Sequence, residues 1–543
     1  MKKFFAILLA VLMLLPCIVA CGKTKDSDES TSPTTNSTQS TTKPSTNPTQ
    51  GTTKPSTDST GGTTDSSTGT GSTEDGSGDV DIIEPEPAPI TKWEGSKLNI
   101  LTTVWSSETG DPGAPWSQPE LCVDREKWDY FDDTGFGVLI NSAILEREDE
   151  IKDKYGVDLN WINSRGDHIG TLISQAVVGG SKDEEYHIAM PRMLEAQQIV
   201  AANSIFNLAD REYIDLDRSY YNQVAREAYS VYDKTLFVAG DFNFLDEHTS
   251  YLIYYNVAMT EGMDSFPDLY QKVVEGKWTI EEMKNVAKLV SNNTGAADWT
   301  DDDTYGYGTT NMSRFFQYSG IQQVRVNDET GAYEITLNDS RVGTLIDSIL
   351  EVTASTWART SWTGGYGGLE NAFAEGRLLF YDEVVEKLGH FTQTEDFRLG
   401  ILPTPKLSDS QESYYTPCTY QAVLMCIPKS TPDREMSEYF FEILSYTGQK
   451  YLMKAYMDKL ATNLDAETAT ESEDVLKNYI FANLCYDVGY MEGWEGLMNS
   501  VQGDAYSSGT NKFTEYFTQE YGEAAGTVSA WNLAWFDSDD IVE

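Results

Sequence analysis

Lys97-Leu98-Asn99-Ile100-Leu101-Thr102-Thr103-Val104 is the stretch from which the fold is read. It is aliphatic and β-branched, and it reads as a buried strand. A long loop follows, rich in Gly, Pro and aromatic residues (Trp105, Trp116, Trp128, Tyr130, Phe131). Ile140, Ile144, Leu145, Ile151 and Tyr155 then fall at helical spacing, with Glu148/Lys152 and Glu150/Lys154 as i,i+4 pairs. Gly156 is a candidate helix cap, and Val157, Leu159 and Trp161 alternate as a second strand. Strand, helix, strand predicts a βαβ unit with parallel strands and a right-handed crossover. Tyr186 to Met190 predicts the next strand, and Met193 to Asn203 the next helix. Open α/β sheets hold ligands beyond the carboxyl ends of their strands. Trp105, the loop to Phe131, Pro191 and Arg192 sit at such ends.

Towards the N-terminus, Met1-Lys2-Lys3 and the apolar run Phe4 to Ala20 describe a secretory signal, too short for a comfortable membrane span. Ile18-Val19-Ala20-Cys21 resembles a bacterial lipobox. It predicts that Cys21 is diacylated and becomes the new N-terminus; a plain secreted protein with an accidental cysteine is the alternative. Residues 22–92 are Ser, Thr, Gly, Pro and Asp, with Thr-Thr-Lys-Pro-Ser-Thr at 41–46 and again at 52–57. They offer too little apolar surface to offset the entropy of ordering, so a flexible tether is expected, with a coil span of roughly 45–50 Å. The expected location is therefore the extracellular face of the cell membrane, held by lipid.

The net charge of −47 disfavours nucleic acid, anionic lipid headgroups and polyanionic ligands. It is compatible with a neutral or cationic ligand, and equally with plain solubility. After the signal and Cys21, four cysteines remain, Cys122, Cys418, Cys426 and Cys485, which allow three full pairings or buried free thiols. With no C-x-x-C and only four histidines (His168, His187, His248, His390), neither a zinc cluster nor a redox dithiol is expected.

Further along, Leu252-Ile253-Tyr254-Tyr255-Asn256 reads as a strand. Thr279 and Glu282 have capping-box spacing, Trp278 and Met283 occupy the staple positions, and Ile280, Met283, Val286, Ala287 and Val290 form the buried stripe. Asp298 to Gly308 is acidic but lacks oxygen ligands at Tyr305 and Met312, where a calcium loop needs them, so a solvated turn is expected. Leu378 to Tyr381 reads as a strand that Asp382-Glu383 lead out of, and Ala422 to Pro428 as another. Thr431 is expected to cap a helix with Pro432 in its first position. The remainder reads as mostly helical, with aromatic turns near Trp494 and Trp531.

Together the lipobox, Ile253-Tyr254-Tyr255-Asn256, Gly276-Lys277-Trp278-Thr279-Ile280-Glu281-Glu282, Phe373-Ala374-Glu375-Gly376-Arg377, Leu399 to Pro405 and Ile427 to Thr431 carry a resemblance. Over roughly residues 95–490 the chain resembles the extracellular solute-binding proteins of family one, the lipoprotein receptors of sugar-type ABC importers. The resemblance implies a type II periplasmic-binding-protein-like α/β fold, with two lobes joined by crossovers around a cleft. The expected boundaries are 93–247 plus 382–426 for one lobe and 248–381 plus 427–543 for the other. Crossovers are expected near Asp246–Ser250, Tyr381–Glu383 and Cys426–Pro428. The implied partners are a small solute, a carbohydrate by family type, and the permease subunits that recognise the closed form; a monomer without cofactor or metal is expected. The long aromatic loop at 106–135 and the acidic C-terminal tail depart from the family pattern.

Sugars present hydroxyls around apolar C–H faces, so a receptor needs flat aromatics and planar polar groups. The candidate ligand-binding residues are Trp105, Trp116 and Arg192 from the first lobe and His248, Thr249, Tyr381, Asp382 and Glu383 from crossovers. Trp362 and Tyr366 join them from a Gly-rich stretch that can approach a ligand closely. Packing is the alternative role for each; Arg192 also suits a salt bridge, and His248 a satisfied hinge position. G-x-S-x-G, H-E-x-x-H and G-x-x-x-x-G-K-[ST] are absent, so no enzyme is expected. A tethered glycoside hydrolase using two of the 86 acidic residues, and a polysaccharide-gripping surface protein, are the competing readings.

Overall fold

The computed structural model describes residue 84 and residues 86–104, 137–165, 168–179, 185–295, 298–360, 363–391, 393–394, 396–489 and 499–538. The signal segment, Cys21, residues 22–83 and the aromatic loop lie outside them, as do Cys122 and Trp494; the end of the expected tether is instead packed on the fold, where Glu84 accepts from Arg218 and the Ser219 N–H, and Ala88 O from Tyr439. No helix among the described residues is long and apolar enough to cross a membrane.

The expected βαβ unit is present. β1 (Lys97–Val104) is followed by α1 (Gly137–Tyr155) and β2 (Asp158–Arg165), which pairs with β1 in parallel from Lys97–Asp158 to Val104–Arg165. α2 (Ile169–Gly179) leads to β3 (Ile188–Met190), parallel to β1 on its other side. α3 (Ala196–Ala201) and, later, α4 (Gln223–Ala228) follow. β1 is buried on both faces by simple alternation. Leu98 and Ile100 pack into one apolar core with Ile140, Ile144, Ile151 and Tyr155; Leu101 enters a second with Ile169, Ile173 and Ala189. Gly156 turns the chain from α1 at φ +70°, and a Cβ there would lie 2.6 Å from Glu94 Cγ. The charges of α1 reach tertiary partners: Lys152 pairs with Asp158, Lys154 with Glu86, and Glu150 with Lys450 at 2.6 Å.

The second sheet is built from β4 (Tyr251–Asn256), β5 (Tyr305–Gly308), β8 (Ala358–Arg359), β9 (Leu378–Val384) and β10 (Leu399–Leu402), in the order β8-β5-β9-β4-β10. Between β4 and β5 runs α5 (Ile280–Val290), capped as expected: Thr279 Oγ1 accepts the Glu282 N–H at 3.2 Å. Trp278 is fully buried, and its indole N–H donates to Pro403 O at 2.8 Å. The acidic turn is tighter than expected. Asp303 is fully buried, its carboxylate taken up by the N–H groups of Thr294 and Thr300 and the Thr294 hydroxyl. α6 (Arg314–Tyr318), a hairpin of β6 (Val324–Val326) and β7 (Tyr333–Ile335), and α7 (Gly365–Ala374) complete this part.

Two expected crossovers are corrected. Tyr381–Glu383 do not lead out of the second sheet: they lie inside β9, all three paired with β4 and Tyr381 also with Gly308 of β5. β10 then adds antiparallel to β4, so residues 382–402 stay with this sheet. Cys426–Pro428 do not leave the first body either. Cys426 bridges Ala189, Met425 bridges Val238 and Pro428 bridges Ile205. The helix after them, α8 (Arg434–Thr447), also packs on the first body: Trp93 donates to Asp433 and stacks on Tyr439, and Tyr221 donates to Glu442. Its cap is Asp433, which accepts from Met436 N at 3.0 Å; the Thr431 hydroxyl pairs with Ser437. β11 (Thr416–Pro417) and β12 (Leu484–Cys485) pair in parallel between the two bodies. α9 (Phe513–Asp537) returns to the first body, where Trp535 donates to Gln197 of α3. Lys234 Nζ takes up the carbonyls of Trp535 and Phe536 at its C-terminus.

α5 and β5 touch backbone to backbone at Gly306, where a Cβ would lie 2.1 Å from Ala287 O. Gly306→Ala is expected to lower stability by about 2–3 kcal/mol. Urea unfolding checks this, with Gly343→Ala, whose Cβ meets nothing within 4 Å, as the control.

Candidate functional site

Both sheets aim the carboxyl ends of their parallel strands at one place. In the second sheet β5, β8 and β9 run parallel, and β9 ends at Val384, opposite the start of β4 at Tyr251. β4 is entered directly from the crossing turn Leu245–His248. In the first body, residues 422–426 run antiparallel to both β3 and the segment at Val238. β3 and that segment therefore point the same way, and the latter leads through Phe242 and Phe244 to the same turn. The crossing is sealed by backbone bonds. Val385 N–H donates to Ser250 O at 2.9 Å, Thr419 N–H to Thr249 O at 3.2 Å, and Cys418 N–H to Cys485 O at 3.3 Å.

The side chains at this junction are polar and buried. Arg314 is 3% exposed. Its Nη1 donates to Asp382 O at 3.0 Å and Oδ1 at 3.2 Å, Nη2 lies 3.9 Å from Glu383 Oε1, and its guanidinium sits 4.2 Å over the Tyr251 ring. Asp382 also accepts from Tyr318 at 2.6 Å and Tyr307 at 2.8 Å. On the crossing turn, Asp246 accepts from Tyr486 at 2.8 Å and shares a carboxyl–carboxyl hydrogen bond with Glu247. Burial, then the neighbouring Asp246 carboxylate, push the Glu247 carboxyl well above its ordinary range; burial raises Asp246 as well. Burial also raises Glu383, against the pull of Arg314. A carboxyl kept neutral in this way donates as well as accepts hydrogen bonds.

Of the candidates read from sequence, this junction gathers Arg192, His248, Thr249, Asp382 and Glu383. Arg192 follows β3, buried and bridged to Val423. His248 lies beside Phe244 and Tyr456, with Nδ1 3.2 Å from the Tyr456 hydroxyl; burial draws it down to about 3, so the ring is neutral. The Thr249 hydroxyl donates to Leu245 O. Asp382 is occupied within the protein, as above. Tyr381 points into an aromatic nest of Tyr254, Phe373 and Phe391. Tyr366 lies on α7, and Trp105, Trp116 and Trp362 lie outside the described residues. Arg314, Tyr251, Asp246 and Glu247 were not singled out from sequence. Arg314 stands in Ser-Arg-Phe-Phe without charge periodicity, and only the pairing of β9 with β4 and β5 brings Asp382 to it. Asp246-Glu247 carried a usable signal: two adjacent acids directly before an apolar strand.

No family model and no curated protein matches the sequence. Solved structures do match the fold. Mycobacterium tuberculosis UspC superposes with a TM-score of 0.51 at 9% identity, over 80% of this chain and 100% of that one. An extracellular solute-binding protein from Staphylococcus aureus, solved in complex with maltose, gives 0.50 at 12% identity, over 80% of this chain and 96% of that one. The fold is type II periplasmic-binding-protein-like.

Two outcomes test the junction. Arg314→Ala leaves Asp382 and Glu383 buried beside no cation, and is expected to cost about 3–5 kcal/mol in urea unfolding. Glu247 holds a proton when folded that the unfolded chain releases above about pH 4.5. Folding then takes up a proton, so this contribution is full at low pH and lost as pH rises through the raised folded-state value. Glu247→Gln removes that titration, and the fall in melting temperature as pH rises above the unfolded-state value is expected to flatten. An unchanged slope would show that Glu247 ionises normally in the folded protein.

Proposed function

We propose that this chain is an extracytoplasmic solute-binding lipoprotein of an ABC importer, tethered through Cys21 on the outer face of the cell membrane. It takes a sugar or oligosaccharide between its two bodies and delivers it to a permease as a monomer, without cofactor and without turnover. The observation that carries this reading is the convergence of strand carboxyl ends from both sheets on one crossing seam, where open α/β sheets place their ligands. The chemistry agrees with a neutral polyhydroxyl ligand. A carboxyl whose proton is held by burial, as at Glu247, offers both halves of a hydrogen bond to a hydroxyl. The Staphylococcus aureus neighbour was solved with maltose, so maltose and longer maltodextrins are the first probes.

Binding across a seam between two bodies closes them by a hinge motion. Saturating maltotriose is expected to raise the melting temperature and to lower the radius of gyration of the mature chain in X-ray scattering. Trp105→Ala and Trp362→Ala are each expected to weaken binding by about tenfold, the loss of one stacking face. Binding without compaction would favour a surface protein that grips polysaccharide, and release of shorter sugars would favour a hydrolase. Metabolic labelling with palmitate tests the anchor: wild type is expected to label and Cys21→Ser not to.

A further inference from the structure

Besides the crossing strands and the hairpin of β6 and β7, α9 links the two bodies. Its 25 residues make a rod of about 37 Å. Near its start Phe513 and Phe517 stack on one another, and this end packs on the helix Asn499–Ser507, which packs in turn on the helix Val342–Thr353. The latter belongs to the second body, where its Glu351 takes Lys284 of α5 at 2.5 Å. At the other end of α9, Val528, Trp531 and Trp535 enter the core of the first body, beside α3 and the hairpin. Between these two grips the helix packs on little. From Thr518 to Thr527 only Ala524 is fully buried. Gly522 and Gly526 lie one turn apart on the solvent face of this stretch. A Cβ at either would meet nothing within 4 Å, and neither has a positive φ, so neither close approach nor backbone conformation calls for glycine there. Each glycine lowers helix formation roughly four- to fivefold relative to alanine, and sharp bends in helices fall at such weak points.

We propose that α9 is a jointed strut. The turn from Gly522 to Gly526 bends when the second body moves against the first, while Phe513 and Phe517 stay with the second body and Val528, Trp531 and Trp535 stay with the first. A stiff rod gripped at both ends resists any change in the angle between the bodies. A weak turn between the grips lets that angle change without tearing either set of contacts. The joint acts on the bodies whatever they bind, so it does not rest on the solute assigned above.

Nitroxide labels at Glu515 and Ala530, both exposed, read the length of α9 by double electron–electron resonance in the mature chain. Attachment through introduced ketone side chains leaves the native cysteines untouched. In a straight helix the two positions are about 22 Å apart. The wild-type protein without ligand is expected to show a broad distribution with a shorter, bent component. Gly522→Ala combined with Gly526→Ala fills open space, so the variant is expected to fold, and its bent component is expected to fall roughly twentyfold, the product of the two alanine preferences. A second label pair, at Val178 of the first body and Leu289 of the second, both exposed, reads the angle between the bodies, and its distribution is expected to narrow in the same variant. Gly503→Ala, whose Cβ also meets nothing within 4 Å, is the control and is expected to change neither distribution. A single narrow Glu515–Ala530 distribution in the wild-type protein overturns the proposal. So does a Val178–Leu289 distribution that the two alanines leave unchanged. Neither readout uses a sugar, so a failure of the receptor reading leaves this test standing.

Discussion

The structure depends on a thin seam of backbone hydrogen bonds. Ser250, Thr249 and Cys418 pass between the two bodies, and each finds its partner in a neighbouring crossing segment, at Val385, Thr419 and Cys485. A chain crossing between packed bodies carries peptide groups that water cannot reach, and those groups need partners. Pairing the crossings with one another supplies them without extending either sheet across the junction. It also fixes which strand ends face each other. With Ser250 tied to Val385, the end of β9 and the start of β4 are held at the seam, and Tyr251, Asp382 and Glu383 come with them.

Charge is buried at the seam under the same constraint. Removing Arg314 and Asp382 from water costs more than their attraction alone returns, so such a pair persists where further hydrogen bonds complete it. Two tyrosines complete Asp382, and the Tyr251 ring faces Arg314. The result is a rigid polar floor whose components come from β4, β5, β9 and α6. Asp246 and Glu247 differ: the two carboxyls share a hydrogen bond with each other, and burial raises both above their ordinary range. The junction thus combines a fixed ion pair with a carboxyl pair that holds a proton.

Local signals carried far in the sequence, and they stopped where long-range pairing began. The buried strand of Leu98, Ile100 and Leu101, the helix spacing through Tyr155, and the Thr279 cap all follow from near neighbours, and all stand in the structure. The return crossing was misplaced for an identifiable reason. Asp382-Glu383 after an apolar run looks like a strand exit, because isolated carboxylates are rarely buried. Arg314, 68 residues away, makes burial possible, and nothing near Asp382 announces it. Thr431-Pro432 likewise has the form of a helix start, yet Asp433 is the better acceptor and sits closer to the Met436 N–H. The aromatic candidates Trp105, Trp116 and Trp362 lie outside the described residues, so the site is defined here by its polar half.

The hairpin of β6 and β7 limits how the two bodies can move. It is entered from α6, in the second body, yet it packs in the apolar core of the first, with Val324 and Tyr333 beside Tyr229 and Leu236. Tyr333 is bonded through its backbone to Asn532 of α9 and through its hydroxyl to Ala228 O, and Tyr232 N–H donates to Gly331 O. A rotation of the second body therefore either tears these contacts or bends the chain just before the hairpin. The second costs less. Gly320 already lies at φ +67°, outside any helix or strand, and Asp487 anchors the N–H groups of Gln323 and Val324 immediately after it. In such a rotation the flexing segment would be residues 319–322, beside the crossing strands, and the hairpin would ride with the first body while α6 moved with the second.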